Sequence, residues 1–398
     1  MSIESIAAIL FLIIFSLIVF LNRKKIEIQK ILFPALYFIM YRTKAGLKAM
    51  DMIAQKCKKI LHPLSYVIIA VGFLGMAFIG FSLVQNIYKL LTVKGAVAGV
   101  GLVLPFQVKG AFYVPFFYWI ISIFILAVVH EGFHGIYARL WNLKVKSSGL
   151  AVLAIFIPIL PAAFVEPDEK QLQKKGLKEQ LSVFAAGPFS NILLAFIILG
   201  LFVLIVPPVV NSFIVYNGIE VTGTIPTPKG MPDYPAEKSG IAAGEIITSV
   251  NNIPVMTIEN FTSILIHKKP YENITVTTNK KTYTMTLGVH PTNASNGYLG
   301  IKIEQSQKVK DSVKAQLWIL PEIIIWFFGL LYWLHVLNLG IGLFNLIPLG
   351  PVDGGRMMHI VLYKYFPKKT AMKIFNLISF LFLALIFINL VFAFIKPA

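Results

Sequence analysis

The chain has 398 residues, 57% of them hydrophobic, with a mean hydropathy of +0.76, values that exclude an ordinary soluble globular protein. A net charge of +18 does not point to nucleic acid, because the basic residues flank long apolar runs and form no stripe interleaved with aromatics. A single cysteine, Cys57, excludes an intrachain disulfide and a cysteine-based metal site.

In chain order, six membrane spans are predicted, at about 6–21, 64–88, 114–141, 182–207, 315–345 and 370–395. Ile6–Leu21 resembles a signal-peptide core, but no positive residue precedes it and Asn22-Arg23-Lys24-Lys25 follows, which fits a retained span better than a cleaved leader. Segment 22–63 carries ten Lys/Arg. Its apolar stretch Ile31–Met40 is too short to span and is expected to lie on the membrane. Residues 90–113 set Gly95, Gly99, Gly101 and Gly110 among Val, Ala and Leu, which suggests a β-like hairpin at membrane depth, with an ordinary external loop as the equal alternative.

The third run is interrupted by His130-Glu131-Gly132-Phe133-His134. On a helix the two histidines lie one turn apart on one face, a spacing that clamps one zinc ion. Glu131 then stands beside the metal, placed to take a proton from an activated water. Given this chain's His and Glu content, such a pentad arises by chance roughly 0.004 times in a shuffled sequence, so coincidence is a poor account. Polar groups at membrane depth cost about 2.5–3.5 kcal/mol each for Asp, Lys or Arg, so the cluster needs a reason. The alternative is a water-exposed histidine pair at a helix end.

The loop from Trp141 to Gln180 is again basic, and Glu166, Asp168 and Glu169 are expected in a solvated turn leading to a helix. The fourth run contains Gly187-Pro188-Phe189-Ser190-Asn191; its small residues permit close helix packing and Pro188 loosens the ladder. Asn191 is suited to hydrogen-bond a substrate carbonyl or oxyanion, or to bridge two helices. Segment 208–314 is richer in Thr, Asn, Lys and Tyr, alternates at Ile274–Thr278 and Tyr283–Leu287, and carries sequons at Asn260, Asn273 and Asn293. It is expected to be a separate folded domain.

The fifth run is too long for one straight crossing, so a break is expected in it; His335 and Asn338 within it line a water path or bond between helices, the latter preferred. It ends in Asn345-Leu-Ile-Pro348-Leu-Gly350-Pro351-Val-Asp353-Gly354-Gly355, a non-helical break that must line a cavity or protein surface. Two histidines leave a catalytic zinc one protein ligand short. Asp353 is the best candidate for the third, against the reading of a solvated Asp-Gly turn; Asp51, Asp168, Asp233 and Asp311 all fall in presumed loops. His359 reads as a membrane-edge residue. Placing the basic segments in the cytoplasm puts both termini and 208–314 outside, with the His-Glu motif toward the cytoplasmic side.

His130-Glu131-x-x-His134, Gly187-Pro188 with Asn191, and Asn345-x-x-Pro348-x-x-x-x-Asp353-Gly354 together resemble the three hallmark motifs of the site-2 protease family of intramembrane zinc metalloproteases. The resemblance implies a core of three helices, at 114–141, 182–207 and about 319–349, one Zn2+ per chain held by His130, His134 and Asp353, and Glu131 as the catalytic base. Ser239-Gly240-Ile241-Ala-Ala-Gly244-Glu245-Ile246 through Val250-Asn251-Asn252 resembles the core of a PDZ domain, with Glu245 and Asn252 as departures from its usual Asp and Gly. Such domains bind extended peptides by strand addition, here assigned to a loop at Gly240 and Ile241, with a domain that only restricts access as the equal alternative.

The fold class expected is therefore mainly α, a polytopic membrane protein of about six helices with an inserted α/β PDZ-like domain. The organisation expected is 1–113 (N-terminal helices and basic segment), 114–207 (first part of the core), 208–314 (extracytoplasmic insert), 315–355 (second part) and 356–398 (C-terminal helix). The reaction implied is peptide-bond hydrolysis within the transmembrane segment of a tethered substrate, with Asn191 or Asn345 at the oxyanion and the 90–113 segment receiving the unwound chain as a strand. The expected partners are that substrate protein, membrane lipid, and a peptide or substrate ectodomain at the insert, with no nucleic acid. Two alternatives stand beside this: a prenyl-protein type protease, which would need a glutamate such as Glu322 as third ligand, and a non-proteolytic scaffold acting through the insert.

Overall fold

The computed structural model describes residues 3–21, 26–32, 36–93, 96, 98–106, 108, 110–155, 157–227, 233–291 and 293–395. Its contacts separate two compact units, Met1–Phe202 with Phe327–Ala398, and Val203–Trp326.

The first unit begins with α1 (Ile3–Leu21), β1 (Ile26–Leu32), β2 (Leu36–Thr43), α2 (Leu47–Lys56) and α3 (Lys58–Thr92). It continues through β3 (Leu102–Leu104), β4 (Ala111–Tyr113), α4 (Phe116–Leu140), β5 (Val145–Ile155), β6 (Ile157–Pro167), α5 (Glu169–Gln173) and α6 (Leu177–Leu204). The long apolar runs become helices because a helix satisfies every backbone group within the segment, as an apolar surrounding requires. Among the described residues five helices are long and apolar enough to cross a membrane: α3, α4, α6 and two later ones at Leu320–Phe344 and Lys368–Ile395. The first predicted span falls in α1, whose apolar stretch, Ala8–Leu21, is shorter than the others.

The larger departure from expectation is a sheet. Strands β1, β2, β5 and β6 form one antiparallel sheet in that order. Ile31–Met40, expected to lie on the membrane, is strand where described: it runs from the end of β1 into β2 (residues 33–35 lie outside the described ones). The reason is a partner distant in sequence: β2 pairs with β5 from Leu36 opposite Ile155 to Thr43 opposite Ser148, and those bonds satisfy a backbone that would otherwise need water. Arg42 clasps the sheet from above, donating to Glu27 on β1, Ser147 Oγ on β5 and Glu166 on β6. Asp168 then caps α5, its carboxylate accepting from Gln171 N–H at 3.1 Å.

The hairpin expected over 90–113 is corrected in direction: β3 and β4 pair in parallel. Pro105 has no N–H to give a hairpin ladder, and Gly110, at φ 80°, lets the chain reverse a second time. Gly99, expected to help receive a substrate strand, instead donates its N–H to Asn86 Oδ1 at 2.8 Å.

The second unit comprises α7 (Val206–Phe213), β7 (Ile214–Thr224), α8 (Pro235–Ser239), β8 (Ile246–Val250), β9 (Ile253–Pro254), α9 (Ile258–Leu265), β10 (Asn273–Thr278), β11 (Thr282–Thr286), β12 (Gly288–Val289), β13 (Gly297–Tyr298), β14 (Ile301–Val309) and α10 (Asp311–Leu317). Its main sheet runs β11-β10-β8-β7-β14, with β9 folded back on β8. Asn251 and Asn252, at φ 49° and 61°, make the two-residue turn between β8 and β9, where asparagine tolerates the left-handed region. Alternating residues of β10, Ile274 and Val276, enter a core with Ile219, Val221, Ile247 and Val250.

The departure at Glu245 is explained by its partners: its buried carboxylate accepts from Thr278 Oγ1 and Tyr283 OH, each at 2.7 Å. Burial alone would push this carboxyl up, but the bonds from Thr278 and Tyr283 outweigh it and hold it below the usual glutamate range. The resulting stability is complete above the unfolded glutamate's pKa and is lost as pH falls through the lower folded value. Tyr283→Phe, which removes one bond to a buried charge, is expected to destabilise this unit by about 1.5–3 kcal/mol in thermal or denaturant unfolding. An unchanged midpoint would show the bond to be replaceable by water.

The chain continues with α11 (Leu320–Phe344), α12 (Asp353–Tyr365) and α13 (Lys368–Ile395). The break expected in the fifth run falls at Trp318, φ 52°, between α10 and α11. Glu322 pairs with Lys314 at 3.6 Å.

Candidate metal centre

Four polar side chains interrupt the apolar interior of the first unit, and two separate elements deliver them. Helix α4 carries His130, Glu131 and His134, and the helical repeat puts both imidazoles on one buried face. Asp353 comes from the first turn of α12. The loop that brings it there is held by Gly354 N–H donating to the Asn345 carbonyl at 2.8 Å. Gly354 and Gly355 are required here: a Cβ on the first would strike the Leu346 carbonyl, and on the second the Leu349 carbonyl.

The three donor atoms converge. His130 Nε2 lies 3.1 Å from His134 Nε2 and 3.1 Å from Asp353 Oδ2, and His134 Nε2 lies 3.4 Å from the same oxygen. Ligands about 2.0–2.1 Å from one tetrahedral zinc stand about 3.3 Å from each other, so the triangle matches a metal's own dimensions. Two imidazoles and a carboxylate are also a donor set that zinc accepts. His134, His130 and Asp353 are the one such group of three among the described residues.

Their surroundings orient them. His134 Nδ1 donates to the Val183 carbonyl of α6 at 2.7 Å, which leaves Nε2 unprotonated toward the other donors. His130 Nδ1 meets the Asn191 amide at 3.0 Å, from the fully buried Asn191 of α6. Gly187 of the same helix passes directly over the site, where a Cβ would collide with Nε2 of both histidines. Glu131, one residue along α4, accepts from the Val165 N–H of β6 at 2.9 Å. His130, Glu131, His134, Asn345 and Asp353 line one cavity of about 310 Å³. A larger cavity of about 1000 Å³ shares Glu169, Leu172, Phe184 and Arg356 with it.

Most residues singled out in the sequence thus meet at one place: His130, Glu131, His134, Asp353, Asn191 and Asn345. His335 bridges helices, its Nδ1 donating to the Ala195 carbonyl at 2.8 Å, while Asn338 bonds the Leu334 carbonyl of its own helix. Glu166 is tied to Arg42 and Ser147 instead of standing solvated, and Glu169 lines both cavities. His359 stacks on Tyr363 with ring centres 4.1 Å apart and lines the larger cavity. In the second unit a hollow of about 330 Å³ lies between α9 and the end of the sheet, lined by Phe261, Leu265, Leu299, Ile301 and Ile303. Gly240 and Ile241 do not line it: Gly240 ends α8 in the left-handed conformation and Ile241 is buried in the unit's core. What sequence reasoning missed is backbone: the Val183 carbonyl and the Val165 N–H bind through atoms every residue has.

The sequence model described as Peptidase family M50 matches residues 118–388. An uncharacterized protein of Methanocaldococcus jannaschii is 25% identical over 323 residues, covering 80% of this chain and 75% of the relative.

Proposed function

Since the chain belongs to peptidase family M50, a family of membrane metallopeptidases, we propose that it is an intramembrane zinc endopeptidase of the site-2 type, cutting peptide bonds within transmembrane segments of membrane-tethered proteins. The observation that carries this reading is the convergence of His130, His134 and Asp353, with Glu131 beside them, on a helix apolar enough to cross a membrane. The five apolar helices and the family make the protein an integral membrane one. The basic loops favour a cytoplasm-facing site and an extracytoplasmic insert.

His130, His134 and Asp353 would hold a zinc ion, and the group would supply Lewis acidity toward water there. Glu131 accepts the proton of the attacking water and returns it to the leaving amine. One of its oxygens is fixed by the Val165 N–H, so the other is the one presented for transfer. Asn345 lines the same cavity and is the donor best placed for the oxyanion. A helical substrate must unwind before its carbonyl is exposed. Strand β6 supports a landing place better than 90–113 does: it ends its sheet, runs beside α4, and its Val165 N–H faces Glu131. By the strand period, the backbone groups of Ala163 turn the same way. An extended peptide added there would lie along the site. In the insert, the hollow beside β14, an end strand of its sheet, is the place for a peptide or substrate ectodomain.

The test compares zinc content and cleavage of a transmembrane substrate, in detergent, for the wild type and Glu131→Gln. The variant is expected to keep its zinc and lose about 10²–10⁴-fold in cleavage. Undiminished cleavage would remove Glu131 as the base. A wild type that binds no zinc and cuts nothing would leave the scaffold reading in its place.

A further inference from the structure

The sequence places Asn191 at the substrate; the geometry points elsewhere, and we infer that its side-chain oxygen holds His130 in the one tautomer able to bind metal. The inference rests on the metal reading above. Asn191 is fully buried, and its amide lies 3.0 Å from His130 Nδ1. Across the ring, His130 Nε2 stands 3.1 Å from both Asp353 Oδ2 and His134 Nε2.

A neutral imidazole carries one proton. An imidazole protonated on Nε2 would donate to Asp353 and accept an amide NH2 at Nδ1. The amide nitrogen of Asn191 is the end nearest Nδ1, and its Oδ1 is buried without a partner. A metal among the three donors claims the Nε2 lone pair, so the proton must sit on Nδ1. The amide NH2 would then face an N–H, donor against donor, in a place sealed from water. A half-turn of the amide exchanges its oxygen for its nitrogen. The oxygen then accepts the Nδ1 proton, and because the two ends of an amide are nearly the same size the exchange needs no repacking.

His134 needs no such exchange. Its Nδ1 faces the Val183 carbonyl, which only accepts, so this ring is held ready for metal at all times. The two ligands are thus oriented by different devices: a fixed acceptor for His134 and a reversible amide for His130. Asn191 is a positioning residue, acting through His130.

The test uses the purified full-length chain with Asn191→Leu and Asn191→Asp. Zinc affinity is read by competition with a chelator, the ligand field by the visible spectrum after Co2+ loading, and folding by thermal unfolding of the metal-free protein. Asn191→Leu, similar in size but without an acceptor, is expected to bind zinc about 10–100-fold more weakly. Asn191→Asp, which only accepts, is expected to match or exceed wild-type affinity with a wild-type spectrum. Should Asn191→Leu fail to fold, Asn191→Asp still decides, because an acceptor role predicts zinc affinity and cleavage both retained, whereas a donor to substrate predicts affinity retained and cleavage lost. Wild-type zinc affinity in both variants with cleavage lost would make Asn191 a donor to substrate and overturn the inference. Equal weakening in both would reduce it to packing. A wild type without zinc would defeat the metal reading itself, a result distinct from either.

Discussion

Asp353→Ala is expected to lose its bound zinc and its proteolysis together. The aspartate reaches the histidines only because the chain leaves the helical path after α11 and re-enters it at α12. Its Oδ2 is 3.1 and 3.4 Å from the two Nε2 atoms, and the described residues offer no replacement donor in that group. Removing it leaves two neutral imidazoles, short of the three protein ligands a catalytic zinc uses. The affinity loss should exceed the roughly 10–100-fold that follows from deleting an outer hydrogen-bond partner. Zinc per chain after gel filtration, measured beside cleavage of a model transmembrane substrate, checks this. Zinc and cleavage untouched by the change would mean that the third ligand lies elsewhere, and the glutamate-ligand class would return.

The second large effect is expected from one methyl group. Glycine inside a helix costs about 1 kcal/mol relative to alanine, so Gly187→Ala would ordinarily stabilise α6. Here the added Cβ would meet Nε2 of His134 and of His130, and α6 would have to retreat from α4. That retreat also pulls Val183 and Asn191 away from the rings they orient, since all three residues share the helix. Misplacement of about 1 Å at a catalytic site costs around 10²-fold, so cleavage should fall at least that far, with zinc weakened alongside. Gly132→Ala is the matched control: it lies within the same His-Glu motif, yet nothing stands within 4 Å of its Cβ position. A Gly187→Ala chain with full zinc and activity would show that the helices stand further apart than described.

The site was more legible in the sequence than the fold around it. The candidate ligands and candidate base announce themselves because His, Glu and Asp are rare and costly among apolar neighbours, so His130, Glu131, His134 and Asp353 stand out. Helices show for a related reason: length and apolarity are local properties. The sheet did not show, because β2 finds β5 over more than a hundred residues, and an apolar stretch such as Ile31–Met40 says nothing about a partner so distant. The pairing direction of β3 and β4 was hidden likewise, in the geometry at Pro105 and Gly110. Asn191 was found, read as a substrate donor or a bridge between helices, but its neighbour His130 was not legible, since an amide reads equally as donor and acceptor. Gly187 belonged to a motif whose small residues were read as helix packing; that the packed surface is a pair of ligand rings needed coordinates.

The extent of the family match and the extent of the physical unit differ. The match opens at residue 118, whereas half of the sheet beside the site is drawn from 26–43, on the far side of α3. A chain cut back to the matched residues would carry every ligand and the base, and would still lack what shields them. β5 would lose eight pairings to β2, Glu166 would lose Arg42, and Gly135 would lose the Met50 side chain packed against it. That would leave a raw edge on β5, one strand away from β6, whose Val165 N–H holds Glu131. The matched segment is narrower than the unit that folds around it, and residues 26–60 supply strands and helix contacts to that unit without supplying a member of the candidate metal group.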